Sequence, residues 1–177
     1  MSSKCNIIVI DNFFENPYEV RNFALNQEYK EGSYFPGRRT KSFATESMKK
    51  RLQEIISPFA SEISWFLTDE DADNGSFQYS YSKDRSWIHT DSCCEWAAVL
   101  YLTPNAPYSS GTGFYERINP NNNDWYDTTN FKLVDSIGNI FNRLIIFNSK
   151  RYHSSIDYFG DSIENCRLYQ VFFFSCK

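Results

Sequence analysis

The 177-residue sequence predicts a mostly β chain with its helices confined to the N-terminal part, an α+β organisation. Three observations carry this. Apolar residues recur twice at helical spacing before residue 60. From Ser76 onward they alternate with polar residues, and no internal repeat or Pro-, Gly- or Ser-rich boundary divides the chain. One domain over 1–177 is expected, with a helical part at about 1–70 and a β core at about 75–177.

Residues 6–10, Asn-Ile-Ile-Val-Ile, read as a short buried strand. Asn16-Pro17-Tyr18-Glu19 then offers a capping residue, a proline at the first helical position and an early acid. Val20, Phe23 and Ala24 continue a helical stripe to about Gln27. Phe35 to Thr40 reads as a loop, and a second helix fits Glu46 to Ile56. Met48, Leu52, Ile55 and Ile56 share one face of it, Lys49, Lys50 and Arg51 lie largely off that face, and Pro58 ends it.

In the second half, Phe77, Tyr79 and Tyr81 alternate with polar residues as a strand does. Trp87 to Asp91, Ala97 to Thr103, Arg143 to Asn148 and Arg167 to Ser175 read as further strands. Residues 116–140, with Asn119-Pro120-Asn121-Asn122-Asn123, form a long polar interruption and a candidate cover for a pocket.

Bulk composition narrows the function classes. Basic residues number 18 against 22 acidic, a formal net charge of −4, which argues against a nucleic-acid partner held by phosphate neutralisation. The apolar run before Asp11 is too short for a secretory signal, and no stretch has the length of a membrane span. Cys5, Cys93, Cys94, Cys166 and Cys176 form no CxxC pair, so reduced thiols in a cytoplasmic protein are expected. Arg38, Arg39 and Lys41 read as a solvated basic loop that could otherwise grip an acidic substrate.

The chain has two histidines. His89 opens His89-Thr90-Asp91, and His153 lies 62 residues beyond Asp91. On a strand, His89 and Asp91 point to the same face. Two imidazoles and one carboxylate make the facial set that binds non-haem Fe(II) and leaves positions open for other ligands. The lack of a cysteine pattern nearby argues against structural zinc. Arg167 follows His153 by fourteen residues and opens an apolar segment. A guanidinium there suits a dicarboxylate.

From Phe77 to Phe174 the order of these pieces resembles the Fe(II)/2-oxoglutarate-dependent dioxygenases, in particular their prolyl-4-hydroxylase-like branch. A tyrosine-bearing strand precedes His89-Thr90-Asp91. Ala97-Ala98-Val99-Leu100-Tyr101-Leu102 and the turn Gly111-Thr112-Gly113-Phe114-Tyr115 come next. Asn142-Arg143-Leu144-Ile145-Ile146-Phe147-Asn148-Ser149 leads to His153, and Arg167 with its aromatic strand closes the pattern. The gap from His153 to Arg167 is longer than the branch usually has, with Gly160-Asp161-Ser162 extending a loop.

The resemblance implies a double-stranded β-helix, or jelly roll, with the N-terminal helices packed on one sheet. It implies Fe(II) on His89, Asp91 and His153, and 2-oxoglutarate and O₂ as co-substrates. Arg167 and Tyr101 would hold the distal carboxylate of 2-oxoglutarate. Tyr81 would line the same pocket, with Tyr79 as its competitor. The implied reaction hydroxylates a small molecule or a peptide or protein side chain, releasing succinate and CO₂. Asp91 favours hydroxylation over halogenation, because halogenating relatives carry a small residue there. The rivals are a non-catalytic jelly-roll binding or sensor protein and a cupin-like iron oxygenase that does not use 2-oxoglutarate.

Overall fold

The computed structural model describes residues 5–122 and 124–177. In chain order its elements are β1 (Ile7–Ile10), α1 (Pro17–Leu25), β2 (Lys30–Glu31), β3 (Arg38–Arg39), α2 (Glu46–Ile56), β4 (Ile63–Trp65), β5 (Phe77–Ser80), β6 (Trp96–Tyr101), β7 (Thr112–Arg117), β8 (Phe131–Ile137), β9 (Leu144–Asn148), β10 (Tyr152–Ser155) and β11 (Arg167–Cys176). The larger sheet runs β1-β9-β6-β11-β5-β3-β2, with β4 against the end of β11. The smaller sheet runs β10-β7-β8. Every pairing is antiparallel. The chain is thus mostly β with two N-terminal helices, as the periodicities predict.

Alternation along the long strands divides their side chains between two apolar clusters. Ala98 and Leu100 of β6, Leu144 and Ile146 of β9, and Leu168, Phe172 and Phe174 of β11 pack with Ala24 of α1 and Leu52 and Ile56 of α2. Their neighbours face the other way. Ala97, Tyr101, Ile145, Phe147, Tyr169 and Val171 meet Phe114 of the smaller sheet. Helices cover one face of the larger sheet, and the smaller sheet packs toward the other.

The helix α2 has the expected bounds, with the Thr45 hydroxyl accepting from Met48 N at 3.2 Å. The α1 helix ends at Leu25 rather than near Gln27, and Asn16 caps it with no side-chain hydrogen bond. Arg21, which the periodicity leaves off the apolar stripe, is buried because its guanidinium donates to Leu102 O at 2.7 Å and Glu164 O at 2.6 Å. Phe23 stays half exposed while its ring packs edge-on against Phe43.

Three β assignments change. Trp87 to Asp91 is no strand; only an isolated bridge joins His89 to His153. The 116–140 interruption contains β8, a strand whose alternation is hidden because it lies at a sheet edge and exposes most of its residues. The Phe35 to Thr40 loop contains β3, which pairs with β5 and β2.

Asn142 fastens the helical layer to the sheet. It sits at φ 64°, a left-handed conformation that Asn tolerates better than most residues. Its side chain accepts from Phe14 N and donates to Phe14 O, both at 2.8 Å. We expect Asn142→Ala to lose about 2–4 kcal/mol in urea unfolding, from unpaired groups at Phe14 and a strained backbone. Asn142→Gly, which relieves only the strain, should lose less.

Candidate metal centre

The site is built on one backbone bridge. His89 N donates to His153 O at 3.1 Å, and His153 N donates to His89 O at 2.8 Å. Asp91 N donates to Ser149 O at 2.9 Å, so the His89–Asp91 segment is tied to the chain entering β10 at two places. The imidazole rings stand 4.5 Å apart, and Phe147 packs edge-on against His153 at 4.7 Å.

Hydrogen bonding sets the tautomers. His89 Nδ1 lies 3.0 Å from Trp87 O and His153 Nδ1 lies 2.8 Å from Arg151 O. A carbonyl only accepts, so each Nδ1 carries the proton and it is Nε2 of each ring that is left to offer a lone pair to a metal. Burial and the neighbouring His89 push the His153 pKa down to about 3, which keeps that ring neutral. His89 Nε2 lies 3.7 Å from Asp91 Oδ1, and His153 Nε2 lies 3.5 Å from Asp91 Oδ2. Asp91 Oδ2 is buried with no hydrogen-bond partner, and burial raises the carboxyl pKa against the opposing pull of His89, Arg39 and Lys150.

Two nitrogen lone pairs and a carboxylate therefore converge, each offering a ligand atom within 4.8 Å of the others. Lone pairs facing one another repel unless a cation lies between them. The donor set, imidazole and carboxylate without thiolate, fits a divalent iron ion.

These residues line a cavity of about 700 Å³ that also touches Thr112, Arg167 and Tyr169 and extends to Tyr34, Trp65 and Leu67. Arg167, only 1% exposed, lies opposite Ser80 in the β11–β5 register. Its Nε donates to Ser110 O at 3.0 Å, while its guanidinium stands 4.3 Å from the Tyr169 ring centre and 5.5 Å from that of Tyr101. Its Nη1 is buried without a partner. A buried donor left over on a cation is what an anionic ligand would satisfy.

The tyrosines are placed differently from one another. Tyr101 is fully buried beside Arg167, and its hydroxyl is paired with Thr112 Oγ1 at 2.7 Å. Tyr81, expected in the co-substrate pocket, lines a separate small cavity together with Tyr79. The reason is alternation along β5: Tyr79 faces the helical side, where its ring stands 4.8 Å from Tyr29, and Gln78 faces the main cavity.

Sequence reasoning passed over Gln78, Tyr169 and Thr112, although opposite parity to Tyr79, Leu168 and Gly113 is the signal that finds them. It also read Arg39 as solvated. Instead Arg39 forms part of the cavity wall, bonding Gln78 Oε1 through Nε at 2.9 Å and Asp73 through Nη1 at 2.8 Å. Lys41 does lie outside, paired with Glu70 on the surface. Trp125 does not line the cavity but its segment packs on the rim: its ring lies near Phe131 and Tyr152 with Arg117 4.6 Å from its centre, Trp125 O accepts from Ile88 N at 3.2 Å, and the Tyr126 ring stands 5.9 Å from that of Trp87.

Solved structures share this fold. HygX from Streptomyces hygroscopicus, with nickel and 2-oxoglutarate bound, aligns with a TM-score of 0.64 at 13% identity, over 94% of this chain and 81% of that one. A prolyl hydroxylase from Trichoplax adhaerens, in complex with a hypoxia inducible factor peptide fragment, aligns with a TM-score of 0.59 at 13% identity, over 96% and 83%. A Pseudomonas putida prolyl-4-hydroxylase aligns with a TM-score of 0.56 at 13% identity, over 97% and 93%. No curated protein matches the sequence. A family model does match it, over residues 1–126, which include His89 and Asp91; the chain belongs to the family of unknown function DUF6445.

Proposed function

We propose that this protein is an Fe(II)/2-oxoglutarate-dependent hydroxylase on a double-stranded β-helix formed by the two sheets, with residues 1–177 acting as one unit. The observation that carries the reading is the pairing of two unsatisfied groups in one cavity. The Asp91 carboxylate faces Nε2 of both imidazoles with its buried Oδ2 unpartnered, and Arg167 Nη1 is a buried donor without an acceptor. One calls for a cation and the other for an anion. The likeness in fold to HygX, which holds nickel and 2-oxoglutarate, supports the same reading.

His89, Asp91 and His153 would hold the metal, and Arg167 the distal carboxylate of 2-oxoglutarate, with Tyr101 beside the guanidinium. Bound there, Fe(II) and 2-oxoglutarate supply activation of O₂, with release of succinate and CO₂ and hydroxylation of a substrate C–H bond. The protein's own part is positional. Main-chain carbonyls of Trp87 and Arg151 hold both imidazoles in the ligating tautomer. The Ser110 carbonyl and the Tyr169 face orient Arg167. Ala97, Val99 and Val171 make the nearby wall apolar. The substrate, a small molecule or a peptide side chain, would enter between Tyr34, Trp65 and Trp87.

Purified His153→Ala should bind Fe(II) at least about 10–100-fold more weakly than the parent by anaerobic equilibrium dialysis. Parental affinity in that variant would remove the triad from the account. For the co-substrate, Arg167→Ala should weaken 2-oxoglutarate binding roughly 30-fold or more, since it leaves a buried carboxylate without its charged partner. Tyr101→Phe should cost about 1 kcal/mol. Equal losses in the two variants would reject the assignment. Oxygen consumption independent of 2-oxoglutarate would instead mark an oxygenase of the cupin type. Tight 2-oxoglutarate binding without succinate release, under any substrate tried, would mark a sensor.

A further inference from the structure

We infer that the substrate carries an aliphatic ammonium group, held at the mouth of the cavity by Asp71 and the aromatic rings there, with its carbon chain along the apolar wall that leads to the candidate metal centre. This rests on the hydroxylase reading above and names the chemical class of its substrate.

Charge accounting singles out Asp71. The arginine and carboxylate side chains that line the cavity are Arg39, Asp71, Asp73, Asp91 and Arg167, and no lysine joins them. Arg39 and Asp73 cancel one another at 2.8 Å. On the proposed reading Asp91 takes the metal and Arg167 the dicarboxylate. The neighbouring Glu70, outside the cavity, is occupied by Lys41 at 2.6 Å. Asp71 is left over: among the described residues its carboxylate has neither a hydrogen bond nor an ion pair.

An exposed carboxylate is ordinarily a solvated one, but this one is carried on a turn fixed at both ends. Before it, Ser42 N donates to Glu70 O at 3.0 Å. After it, the buried Asn74 donates from Nδ2 to Leu67 O at 2.6 Å and accepts at Oδ1 from Phe173 N at 2.8 Å. Gly75 N donates to Val171 O at 2.8 Å, and Gly75 takes φ +78°, where an added Cβ would meet Ala44 N at 2.3 Å. Val171 and Phe173 belong to the apolar wall of the cavity, so the acid and the wall are held as one piece.

The rings complete the match to a cation. Tyr34, Trp65 and Trp87 line the cavity with Asp71. Tyr34 stands beside the same turn, its hydroxyl 3.5 Å from Asp73 Oδ1, and Trp65 lies opposite Ser175, two residues beyond Phe173 on β11. Aromatic faces attract an ammonium ion, as the carboxylate does. A neutral alcohol gains neither attraction, and an anion is repelled by Asp71. Between the mouth and the metal ligands, Val99, Val171 and Phe173 offer a surface on which a chain of methylene groups loses no hydrogen bond.

The test is a binding titration of the full chain, loaded anaerobically with Fe(II) and 2-oxoglutarate and followed by tryptophan fluorescence, since Trp65 and Trp87 line the cavity. The probes are pentylammonium, 1-pentanol and pentanoate, alike in chain length and different in charge. Pentylammonium should bind about tenfold more tightly than pentanol, from a partly exposed ion pair and ring contacts together, and pentanoate should bind most weakly. Asp71→Asn should weaken pentylammonium about fivefold and leave pentanol unchanged. Asp69→Asn, which removes an exposed acid that does not line the cavity, should change neither.

A further probe, Nα-acetyl-lysine methylamide, separates two sources of the same chemistry. Tighter binding than pentylammonium assigns the amine to a peptide side chain, and weaker binding to a free alkylamine. Parental pentylammonium affinity in Asp71→Asn, or pentanoate bound as tightly as pentylammonium, would overturn the inference while the visible absorption of 2-oxoglutarate on Fe(II) persists. A parent protein without that absorption would overturn the co-substrate reading, and with it the amine's place as substrate.

Discussion

The antiparallel register of β11 against both β5 and β6 is the constraint from which the rest of the molecule follows. Tyr169 lies opposite Tyr101 on one side and Gln78 on the other, so a single parity is imposed across three strands. That parity sends Leu168, Phe172 and Phe174 toward the helices and leaves Arg167, Tyr169 and Val171 facing the cavity. A shift of one residue would bury the guanidinium among the core residues of α1 and α2 and turn leucine and phenylalanine into the cavity. The register is protected by the cost of that exchange. Burying an unpaired cation in an apolar layer is far more expensive than any strand hydrogen bond can offset.

The candidate metal centre depends on a weaker element. His89 and His153 are joined by one bridge, with no strand on the His89 side to extend it. Precision there comes from outside the bridge: the Asp91–Ser149 backbone bond, the ring of Phe147 and the carbonyls that hold each Nδ1. Lys150 adds to it, donating from Nζ to the carbonyls of Asp91 and Ser92 at 3.0 and 3.2 Å. An open rim is compatible with ligand exchange at a metal, whereas a fully laddered strand would stiffen it. The separation of a rigid floor, β11 and β6, from a loosely bridged rim is the physical layout of the cavity.

The sequence displays the two helices and the long central strands well, because burial on one or both faces leaves a periodic trace there. It displays β8 and β3 poorly. Edge strands with mostly exposed residues have no apolar side to mark them, and Arg38-Arg39 reads as solvated until β5 is placed beside it. The convergence of His89, Asp91 and His153 was legible from residue type, order and spacing. The choice between Tyr79, Tyr81 and Gln78 was not. All three lie on or beside one short strand, and only its pairing with β11 decides which side faces the main cavity.

On the proposed reading, charge in the cavity would constrain the substrate as well as the co-substrate. On the proposed reading, a divalent metal, the Asp91 carboxylate and Arg167 together leave a net positive charge, and a bound dicarboxylate cancels it. Arg39 and Asp73 near the entrance are already committed. Arg39 is shared between Gln78 and Asp73 and lies 4.1 Å from the Phe35 ring centre, and the Tyr34 hydroxyl reaches Asp73 at 3.5 Å. What remains open toward the metal is the wall of Ala97, Val99, Val171 and Phe173, with aromatic rings at the mouth. A fully charged group placed there would lose its hydration without gaining a partner. On the proposed reading, the portion of substrate beside the metal would be an apolar C–H segment, and any charge it carried would stay at the rim, within reach of Asp71 and water.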